Sequence, residues 1–305
     1  MRILVMALWF VATAALATGA PYVSVWEFSG DSNELVLPLP SGYEYNFTVD
    51  WGDGTQGEVT AYDDPDARHL YDEAGKYTVK ITGLVQAWSF WKHSASKDHI
   101  VAVTDLGNVG WVNFFGAFTA CANLTTVAGG VTDKVTDMRY MFFQAEQATP
   151  DVSKWDTAAV ERMDGMFWGA TAAQPDVSQW DTANLVSARR MFQDARQAQP
   201  DVSQWDTSKL EDMSYMFAYA RAADPDMAKW NFAAVKQMGR MLLSVRLTTA
   251  LYSAMLIRLA ATSFHSSIVL HAGYSKFNAL GRVARDTLVS RGWRIYDGGR
   301  DHNAN

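Results

Sequence analysis

One cysteine, Cys121, stands in a chain of 305 residues. A single thiol cannot build a disulfide framework, and it excludes a cysteine-ligated zinc or iron–sulfur site. Charge is also sparse: Asp, Glu, Lys and Arg make up 19% of the residues, and the balance is −7. That acidic balance gives no basic footprint, so no nucleic-acid partner is expected. Beyond the N-terminus no apolar run reaches the roughly 18 residues of a membrane span, so no transmembrane segment is expected in the mature chain. The six histidines (His69, His93, His99, His265, His271 and His302) form no H-E-x-x-H pair, and there is no G-x-S-x-G, phosphate-binding or dinucleotide-binding loop. No enzymatic activity, no catalytic residue and no cofactor are therefore expected.

Apolar and aromatic residues are plentiful, at 49% and 13% with 12 Trp, which excludes a disordered chain. Residues 1–20 read as a secretory signal peptide: Arg2 is the positive start, Ile3–Leu16 the apolar stretch, and Ala15-Leu16-Ala17 a cleavage pattern. The protein is expected to be secreted or extracellular, with association to a cell surface left open. Residues 22–85 are rich in strand-forming residues, in runs at Tyr22–Phe28, Leu35–Leu39, Tyr43–Val49 and Tyr77–Ile81. Turn signals at Ser29-Gly30-Asp31, Ser41-Gly42 and Gly52-Asp53-Gly54-Thr55 separate them, and a small β-sandwich is expected.

Residues 86–137 read as a connector with degenerate first repeats, and residues 138–245 repeat with a period of 25. Trp155, Trp180, Trp205 and Trp230 mark the period, as do the pairs Met141-Phe142, Met166-Phe167, Met191-Phe192 and Met216-Phe217. Three units carry Pro-Asp-Val-Ser-x-Trp-Asp-Thr, and a fourth, from Pro225, is degraded. Such a period implies a repeat architecture and lies within the leucine-rich-repeat range. Each unit reads as strand (Val152–Trp155), turn, helix and turn. Val160, Met163, Met166/Phe167 and Ala170 supply the stripe of the helix. Residues 246–299 read as a helix–strand–helix–strand cap over the last repeat, followed by a polar tail at 300–305. The expected fold is thus mixed α/β, an N-terminal β-sandwich-like domain followed by a short capped leucine-rich-repeat-like solenoid.

The units, with Met-x-x-Met-Phe-x-x-Ala as in Met213–Ala220, resemble those of the BspA-type leucine-rich-repeat surface proteins. Phe47–Thr55, His69-x-Tyr71 and Gly75–Val79 resemble the PKD-type β-sandwich segment that often precedes such repeats. The resemblance implies an adhesin-like binding protein whose partner is an extracellular protein or glycan. A rival reading is an accessory carbohydrate-binding module or a hydrolase acting on extracellular polysaccharide. The units depart from the family in lacking a Phe-Asn-Gln stretch before the strand; Ala173-Gln174-Pro175 is one of the segments in its place.

Three sets of residues are candidate sites. Trp155, Trp180, Trp205 and Trp230 form a column that reads either as core or as a flat platform for sugar rings or a partner protein. Asp151, Asp176 and Asp201, with Asp226, form an acidic column that reads as side-chain-capped turns or as a weak calcium ladder. Asp50 and Asp53 raise the same choice in the β-rich segment. Cys121 aligns with Ala145, Ala170, Ala195 and Ala220 and is expected to be buried.

Overall fold

A computed structural model describes residues 19–30, 32–92, 95–263 and 265–304. The leader pattern falls almost wholly on residues 1–18, outside the described residues.

The strands are β1 (Tyr22–Phe28), β2 (Glu34–Val36), β3 (Tyr45–Asp50), β4 (Gln56–Val59), β5 (Arg68–Leu70), β6 (Gly75–Val85), β7 (Ile100–Asp105), β8 (Thr126–Val127), β9 (Val269–His271) and β10 (Arg294–Tyr296). Two helices, α1 (Thr249–Thr262) and α2 (Ala279–Ser290), flank β9. The C-terminal order is thus helix, strand, helix, strand, as its pattern indicates. Among the described residues no helix is long and apolar enough to cross a membrane.

The N-terminal region is not the expected sandwich. One open mixed sheet runs β4-β3-β6-β1-β7-β8, and β2 and β5 form a separate two-stranded sheet. β1 explains the order. Its side chains alternate between buried and partly open, and it pairs antiparallel with β6 from Tyr22↔Ile81 to Phe28↔Gly75. Its other edge takes β7, with register shifts at Val23/Ser24 and Val25/Trp26. β7 then pairs parallel with β8. The sheet therefore continues into the segment read as a connector. Tyr22, Trp26, Trp88 and Trp111, all at most 2% exposed, fill the core beside it.

The 25-residue units do not form the expected leucine-rich-repeat-like solenoid. Both α-helices of the described residues lie after residue 248, and residues 138–245 hold no strand. The stretch from Val152 to Ala170 is a run of turns joined by one bridging residue. The physical reason lies in the three-residue spacing. Each apolar position closes its own turn: Val160 N–H donates to Thr157 O at 2.9 Å, Met166 to Met163 O at 3.2 Å and Ala170 to Phe167 O at 3.0 Å. Within the last two of these turns the backbone goes left-handed, at Gly165 (φ 61°) and Gly169 (φ 75°). A right-handed helix cannot pass through such a residue.

The same two positions are left-handed in neighbouring units without glycine, at Tyr140 and Gln144, Arg190 and Asp194, and Tyr215 and Tyr219. A left-handed non-glycine residue costs about 1–2 kcal/mol. Hydrogen bonds to the next unit offset it: Tyr140 N–H reaches Asp164 O at 2.9 Å, Gln144 reaches Trp168 O at 2.8 Å and Arg190 reaches Ser214 O at 2.9 Å. Single parallel bridges link Asn113, Asp137, Arg162, Ser187, Asp212 and Gln237 in turn. Phe142, Phe167, Phe192 and Phe217 stack with centroids 5.5–5.6 Å apart and are fully buried. A Leu242 N–H···His271 O bond of 3.0 Å joins the last unit to β9.

Candidate functional site

The Trp column lies inside. Trp155, Trp180, Trp205 and Trp230 are 0–5% exposed, and the rings of Trp180, Trp205 and Trp230 stack at 6.2–6.4 Å. Each of these three indoles donates to a carbonyl one unit back: Trp180 to Val152 O, Trp205 to Val177 O and Trp230 to Val202 O, at 2.8–3.1 Å. Trp155 Nε1 is buried without a hydrogen-bond partner. With the rings covered, the column offers no platform, and its place is in the core.

The acidic column holds turns. Asp151 accepts from the amide and hydroxyl of Ser153, and Asp176 does the same with Ser178. Asp201 accepts from Ser203 N–H and Asp226 from Ala228 N–H. The Ser153 hydroxyl and amide hold Asp151 below the usual carboxylate range, and the Ser203 bonds do so for Asp201. Asp50 accepts from Gly52 N–H. Asp53 accepts from the amide and hydroxyl of Thr55 and lies 2.6 Å from His69 Nε2. Partial burial pushes the Asp53 carboxyl up, but the Thr55 and His69 bonds outweigh it and bring it down to about 2. Among the described residues, no three His, Cys, Asp or Glu side chains gather as a metal site. Cys121 is fully buried, and burial pushes its thiol well up.

A different set of residues meets on the outer face of the left-handed turns. Trp91, 41% exposed, packs on Phe115 and Tyr140 with centroids at 5.3 and 4.8 Å. Phe143 continues to Trp168 at 4.7 Å. The Arg190 guanidinium then sits between two rings, 4.7 Å from Trp168 and 4.8 Å from Tyr215. Arg240 lies 5.4 Å over the other side of Tyr215 and donates to its hydroxyl. Beyond it His271 stacks on the exposed Tyr296 at 4.7 Å. Burial, and then the charge of Arg240, push His271 below its ordinary pKa. Its Nδ1 accepts Arg240 N–H at 3.1 Å, as a neutral ring does.

This band of aromatic rings and guanidiniums crosses every unit and ends at two hollows. One, of about 250 Å³, is lined by Pro40, Ser41, Ser89, Trp91, Lys92 and Phe115. The other, of about 360 Å³, is bordered by His271, Arg285, Tyr296 and Asp297. Sequence reasoning passed over these residues because they occupy the columns that vary. Position 140 and its equivalents read Tyr, Gly, Arg, Tyr, Arg, and position 143 and its equivalents read Phe, Trp, Gln, Ala, Leu. The signal was present: in a strict repeat, a column that varies from glycine or alanine to aromatic or guanidinium groups lies outside the packing that enforces the period.

The chain is thus a repeat protein of stacked turns joined to an open β-sheet. Two overlapping segments, residues 113–223 and 136–253, match the family described as "Mycoplasma protein of unknown function, DUF285", to which this part of the chain is similar. No curated protein and no solved structure matches the chain.

Proposed function

We propose that this is a secreted or surface-associated, non-enzymatic binding protein that holds an extracellular protein or glycan on its aromatic–arginine face. The observation that carries this reading is the continuity of that face, from Trp91 through Tyr140, Trp168, Arg190 and Tyr215 to Tyr296. Aromatic rings and arginines are the side chains that dominate binding energy at interfaces. Here Trp91 and Tyr296 are exposed and Tyr140, Trp168, Arg190 and Tyr215 partly exposed, on a chain whose core is already filled by its own Met, Phe and Trp columns. The signal-peptide pattern and the resemblance to BspA-type surface proteins support the extracellular setting.

The test is a panel of immobilised matrix proteins and glycans, probed with the native chain and with a Trp91→Ala, Tyr140→Ala, Trp168→Ala variant. Denaturant unfolding verifies that the variant is folded. We expect a ligand whose affinity falls about tenfold or more in the variant, with no turnover of that ligand. Ligands bound equally by both proteins would place the site elsewhere.

A further inference from the structure

We propose that the face takes an anionic polysaccharide, with the sugar chain lying across the row of aromatic side chains and carboxylate or sulfate groups on Arg190 and Arg240. This rests on the binding face proposed above and names the ligand class.

The first argument is charge. The chain carries a net −7, and three arginines of the repeat are ion-paired: Arg139 with Asp137, Arg162 with Asp164 and, more loosely, Arg196 with Asp194 at 3.9 Å. Arg190 and Arg240 form no ion pair among the described residues. Arg190 is gripped between two rings, and its Nε is buried without a hydrogen-bond partner, as is Gln193 Oε1 beside it. A guanidinium held flat and unpaired is pre-arranged for the fork of a carboxylate or sulfate.

The second argument is spacing. Successive units are 5.5–5.6 Å apart by their stacked Phe rings, comparable to the advance of one sugar in an extended chain. Arg190 and Arg240 stand on alternate rungs with Tyr215 between them, so the two charges are two units, about 11 Å, apart. That is the pattern of a polysaccharide with one anionic group per disaccharide. An extended peptide advances about 3.3 Å per residue, so side chains on one face recur near 6.6 Å and drift out of step with the rungs. A nucleic-acid strand needs many phosphates neutralised, whereas this face offers two free guanidiniums beside ion-paired carboxylates.

The experiment measures binding of the full chain by calorimetry and affinity electrophoresis. The probes are hyaluronan, its carboxyl-reduced neutral form, a sulfated galactan and a neutral β-glucan. We expect binding to hyaluronan or to the sulfated galactan, and which of the two binds names the anion. Binding should weaken with salt, fall about tenfold in Arg240→Gln and again in Arg190→Gln, and fall in Trp168→Ala. Arg240 is exposed, so its variant tests the idea even if Arg190→Gln unfolds. Equal affinity for hyaluronan and its carboxyl-reduced form, lost in Trp168→Ala, overturns the anionic assignment and leaves the binding face standing. The same follows if only a protein ligand is captured on that face. Anionic polymer binding that ignores both arginine variants and Trp168→Ala overturns the assignment and removes its support from the face.

Discussion

The sheet of residues 22–105 and the repeat of residues 113–245 satisfy their backbones in different ways. In the sheet, main chain pairs with main chain: β1 alone aligns seven residues with β6. In the repeat each unit contributes one bridging residue, its backbone bonds close short turns and reach the next unit, and side chains add bonds at fixed positions. Asp151, Asp156 and Asp176 bind the amide two residues on. The hydroxyls of Thr157 and Thr182, both nearly fully buried, reach Asp181 O and Asp206 O. The indoles of Trp180 and Trp205 reach carbonyls a unit back. Backbone bonds tolerate varied side chains, whereas the side-chain bonds and ring stacks added at each step need the same residue there. That is why the repeat stands out in the sequence and the sheet does not.

The comparison can be broken most forcefully at the Phe column. Phe192→Ala removes a fully buried ring held between Phe167 and Phe217, and should cost about 3–5 kcal/mol in a urea titration. If near-ultraviolet and far-ultraviolet signals then unfold separately, sheet and repeat are separate cooperative units. Coincident transitions mean the shared core joins them.

The side-chain ladder is tested at Asp176. Asp176→Ala leaves the Ser178 amide without its acceptor and should lose about 0.5–1.5 kcal/mol. Asp176→Asn keeps an acceptor oxygen and should recover most of that. An Asn variant as weak as the Ala variant would mean that charge, not the turn bond, matters there.

The left-handed turns allow a change of opposite sign. Gln144→Gly, at an exposed residue with φ 55°, should stabilise by about 1 kcal/mol because strain is relieved. A loss of stability would mean that the side chain, not the backbone, sets this position.

The smallest effect concerns the sheet and pH. Asp53 titrates near 2 in the folded chain and near 3.9 when unfolded. A depressed carboxyl contributes stability that is full above about pH 4 and is lost as pH falls toward 2. Stability should therefore decline across that window, and Asp53→Asn, compared with the native chain by thermal melts at several pH values, should flatten part of the decline. Parallel curves would remove Asp53 as a source. Asp151 and Asp201, also lowered, contribute a further part of the same slope in the repeat.

The sequence alone carried the 25-residue period, the buried Met and Phe columns, the burial of Cys121 and the β1 strand, because each is written in local spacing; it left the acidic column between turns and a calcium ladder. The helix read over Val160–Ala170 is instead a chain of turns, since both patterns recur every three or four residues and spacing alone does not separate them. The choice was made by hydrogen bonds between units, which hold Tyr140, Arg190 and Tyr215 left-handed against their own preference. The face was likewise out of reach of any sequence window. Trp91, Tyr140, Trp168, Arg190 and Tyr296 are up to 205 positions apart, and only stacking one unit on the next brings their rings and charges into one line.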